Sequence, residues 1–135
     1  MSGSPHTVVR APWLAPPSGY AHAVVAAPGR LVHLGGQTAQ GPDGVIRGST
    51  VVEQWDRAAA NLLTALRAAG GEPDHLVAMT VYVTDIAAYR GSLPALGGVW
   101  RSRFGRRYPA MALVGVVELF DPAALVELTG VAVIP

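Results

Sequence analysis

The chain has 135 residues, 50% of them hydrophobic and only 14% charged, with a formal net charge of +1. That length fits one domain. The near-neutral balance exerts no general pull toward nucleic acid or an anionic membrane, and the absence of cysteine excludes disulfides, a thiolate nucleophile and Cys-ligated zinc. Soluble proteins average about 25% charged residues, so so small a domain is expected to carry apolar surface and to bury it between identical subunits. The start, MSGSPHTVVR, lacks the charged head and apolar core of a signal peptide. No run approaches the ~20 apolar residues of a membrane span, so a cytoplasmic protein without membrane contact is expected.

Taken in order, residues 1–5 are Ser/Gly/Pro-rich and expected to fray. HTVVRA can begin a strand, and Pro12, Pro16 and Pro17 then impose an extended loop. Tyr20 to Ala27 reads as a strand with Tyr20, His22, Val24 and Ala26 on one face. The turn Pro28-Gly29-Arg30 should return Leu31 to Gly35 as the second arm of a hairpin. Thr50-Val-Val-Glu53 has the form of a capping box. After it Val52, Trp55, Ala59, Leu62, Leu66 and Ala69 recur at helical spacing, whereas Gln54, Asp56, Arg57, Asn61 and Arg67 fall largely elsewhere. Gly70-Gly71 should end that helix.

HLVAMTVYVTD alternates as a strand, and IAAYRGSLP leads into a second helix with Leu93, Leu96, Trp100 and Phe104 on one face. Two strands, Ala110 to Val117 and Leu125 to Ile134, flank the turn LFDPA. The order βββ-α-β-α-ββ predicts a single α+β domain over residues 1–135: a mixed six-stranded sheet with two helices on one face. The other face, apolar at both parities of the late strands, should pack against further subunits.

The stretches SGYAHAV (18–24), LVHLGGQTA (31–39), QWDRAAANLLTALRAAGG (54–71), LVAMTVYVTD (76–85), YPAMALVGV (108–116) and LVELTGVAV (125–133) resemble the RidA/YjgF family in order and spacing. The resemblance implies a chorismate-mutase-like fold assembled as a homotrimer, with clefts lined by two neighbouring subunits. It also implies hydrolysis of reactive imines and enamines such as 2-aminoacrylate, with no metal or organic cofactor. In that family a Tyr and a Glu face the cleft, the Glu positions water, and an Arg binds the substrate carboxylate. Matched residue by residue, the Tyr falls on Tyr20, the Glu on Glu127, and the Ser-Gly pair on Gly35 and Gly36. A helix Asn falls near Gly97, and the Arg falls on Met111.

Met111 is the serious departure. A guanidinium takes a carboxylate as a bidentate fork, and a thioether offers only a soft apolar surface. Loss of the charged partner of a carboxylate costs about 2–5 kcal/mol. The candidate catalytic residues are Glu127 and Tyr20, and the candidate substrate-binding residues are Met111, Gly35, Gly36, His22 and Trp100. Glu127 lies in an apolar strand, where a carboxylate is costly unless paired or at work. His22 and His33, on the two hairpin arms, lack a third ligand at a metal spacing, so no metal site is expected. RSRFGRR puts four arginines within seven residues but without the interleaved aromatics of single-strand RNA binders, so a small-molecule substrate is expected and nucleic acid is not. The alternative reading is a non-catalytic, metabolite-binding homotrimer, with RNA cleavage a less favoured third.

Overall fold

A computed structural model describes residues 3–135. Of the stretch expected to fray, Met1 and Ser2 lie outside the described residues. From Ser4 onward the chain is tied down, its hydroxyl donating to the Asp74 carbonyl at 2.7 Å.

The strands are β1 (Thr7–Val9), β2 (Ala23–Val25), β3 (Arg30–Gln37), β4 (Leu76–Val83), β5 (Ala110–Gly115) and β6 (Val126–Ile134). The helices are α1 (Val51–Ala68), α2 (Ile86–Arg90) and α3 (Leu93–Phe104). α1 starts at its expected cap: Thr50 Oγ1 accepts from the Glu53 N–H at 3.2 Å, and Glu53 Oε1 accepts from the Thr50 N–H at 3.1 Å. The Ser49 backbone N–H, then the Ser49 hydroxyl and the Thr50 donors, hold the Glu53 carboxyl below the usual carboxylate range. At the other end Gly70, with φ 92°, takes the left-handed conformation that stops the helix.

Four strands form one mixed sheet in the order β3-β6-β4-β5, with β5 parallel to β4 and the other neighbours antiparallel. Against one face α1 buries Trp55, Ala58, Ala59, Leu62, Leu63 and Leu66, and α3 buries Leu96, Trp100 and Phe104. These side chains meet Met79, Val81, Val83, Val126 and Leu128 from the strands. Trp100 stacks on Phe104 with centroids 4.2 Å apart, and Trp55 meets both rings edge-on at 6.1 Å.

The expected six-stranded sheet is instead a four-stranded sheet plus a separate β1–β2 ribbon. β2 pairs antiparallel with β1, whereas β3 pairs with β6, so the expected β2–β3 hairpin does not form. Buried His6 explains the alternative pairing. The Ala27 N–H donates to its Nδ1 at 3.0 Å, which places the proton on Nε2, and Nε2 donates to the Val133 carbonyl at 2.9 Å. The N-terminal segment is thereby pinned across the Pro28–Gly29 turn, where β1 can take the edge of β2. The expected second helix is also divided: α2 ends at Gly91, Ser92 precedes α3, and Pro94 sits in the first turn of α3, where its missing N–H costs nothing.

Gln54, expected on the polar side of α1, is buried at 2% exposure. Its amide nitrogen donates to the carbonyls of Gly48 (3.1 Å) and Ala123 (3.0 Å), and its carbonyl accepts from the Leu125 N–H at 2.8 Å. Helical spacing cannot separate a solvated amide from one that satisfies loop backbone. Replacing it with leucine strands two carbonyls and one N–H in the interior, at about 1–3 kcal/mol for each buried unsatisfied group. Gln54→Leu is therefore expected to lower unfolding free energy by about 2–4 kcal/mol, measured by urea denaturation at fixed protein concentration. A loss below about 0.5 kcal/mol would show that this amide does not hold the loop before β6.

Candidate functional site

Pairing register decides which side chains share a face. Met111 pairs with Met79 and Leu113 with Val81, which puts them on the helix-covered side. Glu127 pairs with Tyr82, and Thr129 with Thr80, on the open side. The candidate residues therefore fall into two groups separated by the sheet itself.

The first group lies at the β5 edge. Ala21 forms a parallel bridge to Ala110, and its N–H donates to the Pro109 carbonyl at 3.0 Å. This bridge lays the segment Ser18–Gly19–Tyr20 along β5, with Gly19 turning the chain at φ 75°. Tyr20 and Met111 then face a cavity of about 250 Å³ that Tyr89 and Leu93 also line. Met111, Tyr89 and Leu93 are shared with a second cavity of about 260 Å³, which runs inward to Trp55, Trp100 and Tyr108. Trp100 is thus a wall of the inner cavity, stacked on Tyr108 at 4.8 Å, with its indole N–H donated to the Arg107 carbonyl at 3.2 Å. Burial, and then the neighbouring Tyr108, push the Tyr89 phenol above the usual tyrosine value, so it stays a neutral donor.

The second group lies on the open face. A bulge between Leu34 and Gln37 in the β3–β6 pairing brings Gly36 against Glu127. A Cβ on Gly36 would collide with Glu127 Oε2, so the carboxylate as placed lies directly over this glycine. A Cβ on Gly35 would meet nothing within 4 Å. No ion pair involves Glu127 among the described residues. His33 is exposed on the same face and lines a shallow groove with Thr80 and Thr129.

His22 is occupied elsewhere. The Ala11 N–H donates to its Nδ1 at 3.0 Å, and its Nε2 donates to the Ala15 carbonyl at 2.8 Å. Both nitrogens hold the proline-rich loop, which leaves neither for a ligand; the sequence pattern placed His22 beside Tyr20 but carried no sign of that loop. The arginine cluster is likewise partly consumed. Arg103 Nε donates to Asp56 at 2.8 Å, and Arg107 Nη1 donates to the Leu76 carbonyl at 3.1 Å. No group of three or more metal-ligating side chains occurs among the described residues. Sequence reasoning missed Tyr89 and Tyr108 as cavity walls; only the packing of α2 and α3 over β5 reveals them.

Comparison with known proteins agrees with this fold. No curated protein matches the chain. A Rid-family protein of unknown function from Yersinia pestis superposes with a TM-score of 0.85 at 28% identity, over 96% of this chain and 98% of that one. A Mycobacterium tuberculosis member of the YjgF/YER057c/UK114 family superposes with a TM-score of 0.65 at 29% identity, over 96% and 99%. The RidA of an Antarctic Psychrobacter gives 0.68 at 26% identity, over 89% and 92%. The sequence model described as Endoribonuclease L-PSP matches residues 11–134, and with these neighbours it establishes that the chain belongs to the RidA/YjgF (L-PSP) family.

Proposed function

We propose that the protein hydrolyses an imine or enamine in clefts between copies of the chain assembled as a homotrimer, with Glu127 and Tyr20 as catalytic groups. The observation that carries this reading is the separation of the two groups. Tyr20 and Met111 line the β5-edge cavity on the helix side, Glu127 and Gly36 occupy the open face, and β4 lies between β5 and β6. One chain cannot bring both groups to one substrate. A neighbouring copy whose open face meets this edge can, and it would also cover Leu31, Ala112 and Val114, which are exposed in the single chain.

In that cleft the neighbour's Glu127 accepts a proton from water as the oxygen adds to the C=N carbon. The Tyr20 hydroxyl donates a hydrogen bond to the nitrogen, where negative charge develops. The Glu127 carboxyl returns that proton to the nitrogen to give the neutral carbinolamine; Glu127 then takes the carbinolamine hydroxyl proton and passes it to the nitrogen as the C–N bond breaks and ammonia departs. One imine and one water become one carbonyl compound and one ammonia; an enamine first tautomerises to the imine. The open space at Gly35 accommodates the water or substrate.

The replacement of the carboxylate-binding arginine by Met111 favours a second reading, a binding trimer without turnover. It predicts ligand-induced thermal stabilisation with no product formed. RNA cleavage, the activity in the family's description, finds less support, since Arg103 and Arg107 are engaged within the fold.

Imines generated in place by an amino-acid or amine oxidase and trapped by semicarbazide provide the assay. Glu127→Gln is expected to slow hydrolysis on the order of 10²–10⁴-fold, and Tyr20→Phe by about tenfold, both with unchanged oligomeric mass. Full turnover in both variants would remove the mechanism. Sedimentation equilibrium is expected to give the mass of three chains of 14.0 kDa each, and Val131→Arg on the open face should yield monomers. A monomeric native protein would exclude the shared cleft.

A further inference from the structure

An unpaired cation stands beside the Met111 side of the site, and α3 carries it. Arg101 is exposed and takes part in no ion pair among the described residues. Nearby Arg103 is held by Asp56, and Arg107 by the Leu76 carbonyl. Side chains on a helix lean toward its N-terminus, so residue 101 lies over residue 97, one turn earlier. Residue 97 is glycine. The heavy atom that a Cβ there would meet is Arg101 Nη1, at 3.7 Å. Glycine thus leaves the guanidinium against bare helix backbone, with no side chain between it and the cavity wall.

That wall matters because Gly97 borders the cavity of about 260 Å³ together with Ser18, Gly19, Tyr89, Leu93 and Met111. All of these but Gly97 also border the Tyr20 cavity. Gly97 and Tyr20 therefore mark two ends of adjoining space along β5. No acidic side chain lines either cavity among the described residues, so the Arg101 charge is free for an anion from outside the chain. Met111 offers an anion nothing, being a neutral thioether. A guanidinium fork takes a carboxylate bidentately.

We propose that Arg101 is a specificity-determining residue of this site. Its guanidinium holds a substrate carboxylate over Gly97, while the imine carbon lies toward Tyr20. The proposal rests on the imine-hydrolysis reading and places the counter-ion on α3 rather than on β5. In R–C(=NH)–COO⁻ + H₂O → R–C(=O)–COO⁻ + NH₃ the carboxylate is unchanged, so Arg101 contributes binding and takes no part in proton transfer.

The imine of leucine, generated by an amino-acid oxidase and trapped by semicarbazide, provides the kinetic arm. Its stable product, 4-methyl-2-oxopentanoate, provides a binding arm by calorimetry that needs no turnover. Arg101→Gln is expected to raise KM and the keto-acid Kd by about tenfold, with kcat little changed. Arg106→Gln, at an exposed arginine of the same cluster, is expected to leave both values as they are. No keto-acid binding by the native protein, or equal affinity in Arg101→Gln, overturns the assignment. An equal loss in Arg106→Gln shows a general field of positive charge and overturns it too. A fall in oligomeric mass in Arg101→Gln makes this side chain an interface cation, with the same consequence. If the keto acid binds through Arg101 and the imine is not hydrolysed, the carboxylate site stands and imine hydrolysis fails.

Discussion

A four-stranded sheet covered by helices on only one face is the constraint on which the rest of this structure depends. Strand side chains alternate between faces with a period of two, so each position of β4, β5 and β6 belongs either to the core or to the open side. Met79, Val81 and Val83 go inward and are buried under α1 and α3, while Thr80 and Tyr82 go outward. The same rule sends Met111 inward and Glu127 outward. Met111 and Glu127 are thus placed on opposite sides of a single layer.

Electrostatics at the site follows from a small number of side chains. The β5-edge cavity holds Tyr20, Tyr89 and Met111 but no cation, and burial keeps Tyr89 neutral. On the open face Glu127 lies against Gly36, where even a methyl group would collide with it. A guanidinium at position 111 would have given this cavity a fixed positive charge in an apolar setting. Methionine gives it a soft wall between an outer and an inner compartment instead.

Buried polar groups do the positioning. Gln54 ties α1 to the loop that starts β6, two residues before Glu127, through the Leu125 N–H. Asn61 holds the loop after β3 by donating to the carbonyls of Thr38 (2.9 Å) and Gln40 (2.8 Å). His6 and His22 do the same for the N-terminal segments, each with its tautomer set by a backbone donor. Apolar packing against α1 supplies most of the stabilisation, but it is directionless. These hydrogen bonds decide where the loops next to Gly36, Tyr20 and Glu127 come to rest.

By itself the sequence determined what is local. The Thr50–Glu53 box, the α1 stripe, the Gly70 stop and the alternation of β4 are each written within a few residues, because capping, periodicity and positive φ act over that range. The family resemblance was legible for the same reason, as short motifs in register. Tertiary structure alone decided the partners. β2 chose β1 over β3, Gln54 went inside, and His22 was spent on a loop, since each depends on residues far away in the chain. The division of Tyr20 and Met111 from Glu127 and Gly36 is of this kind too: sheet register sets it, and no local pattern encodes which strands become neighbours.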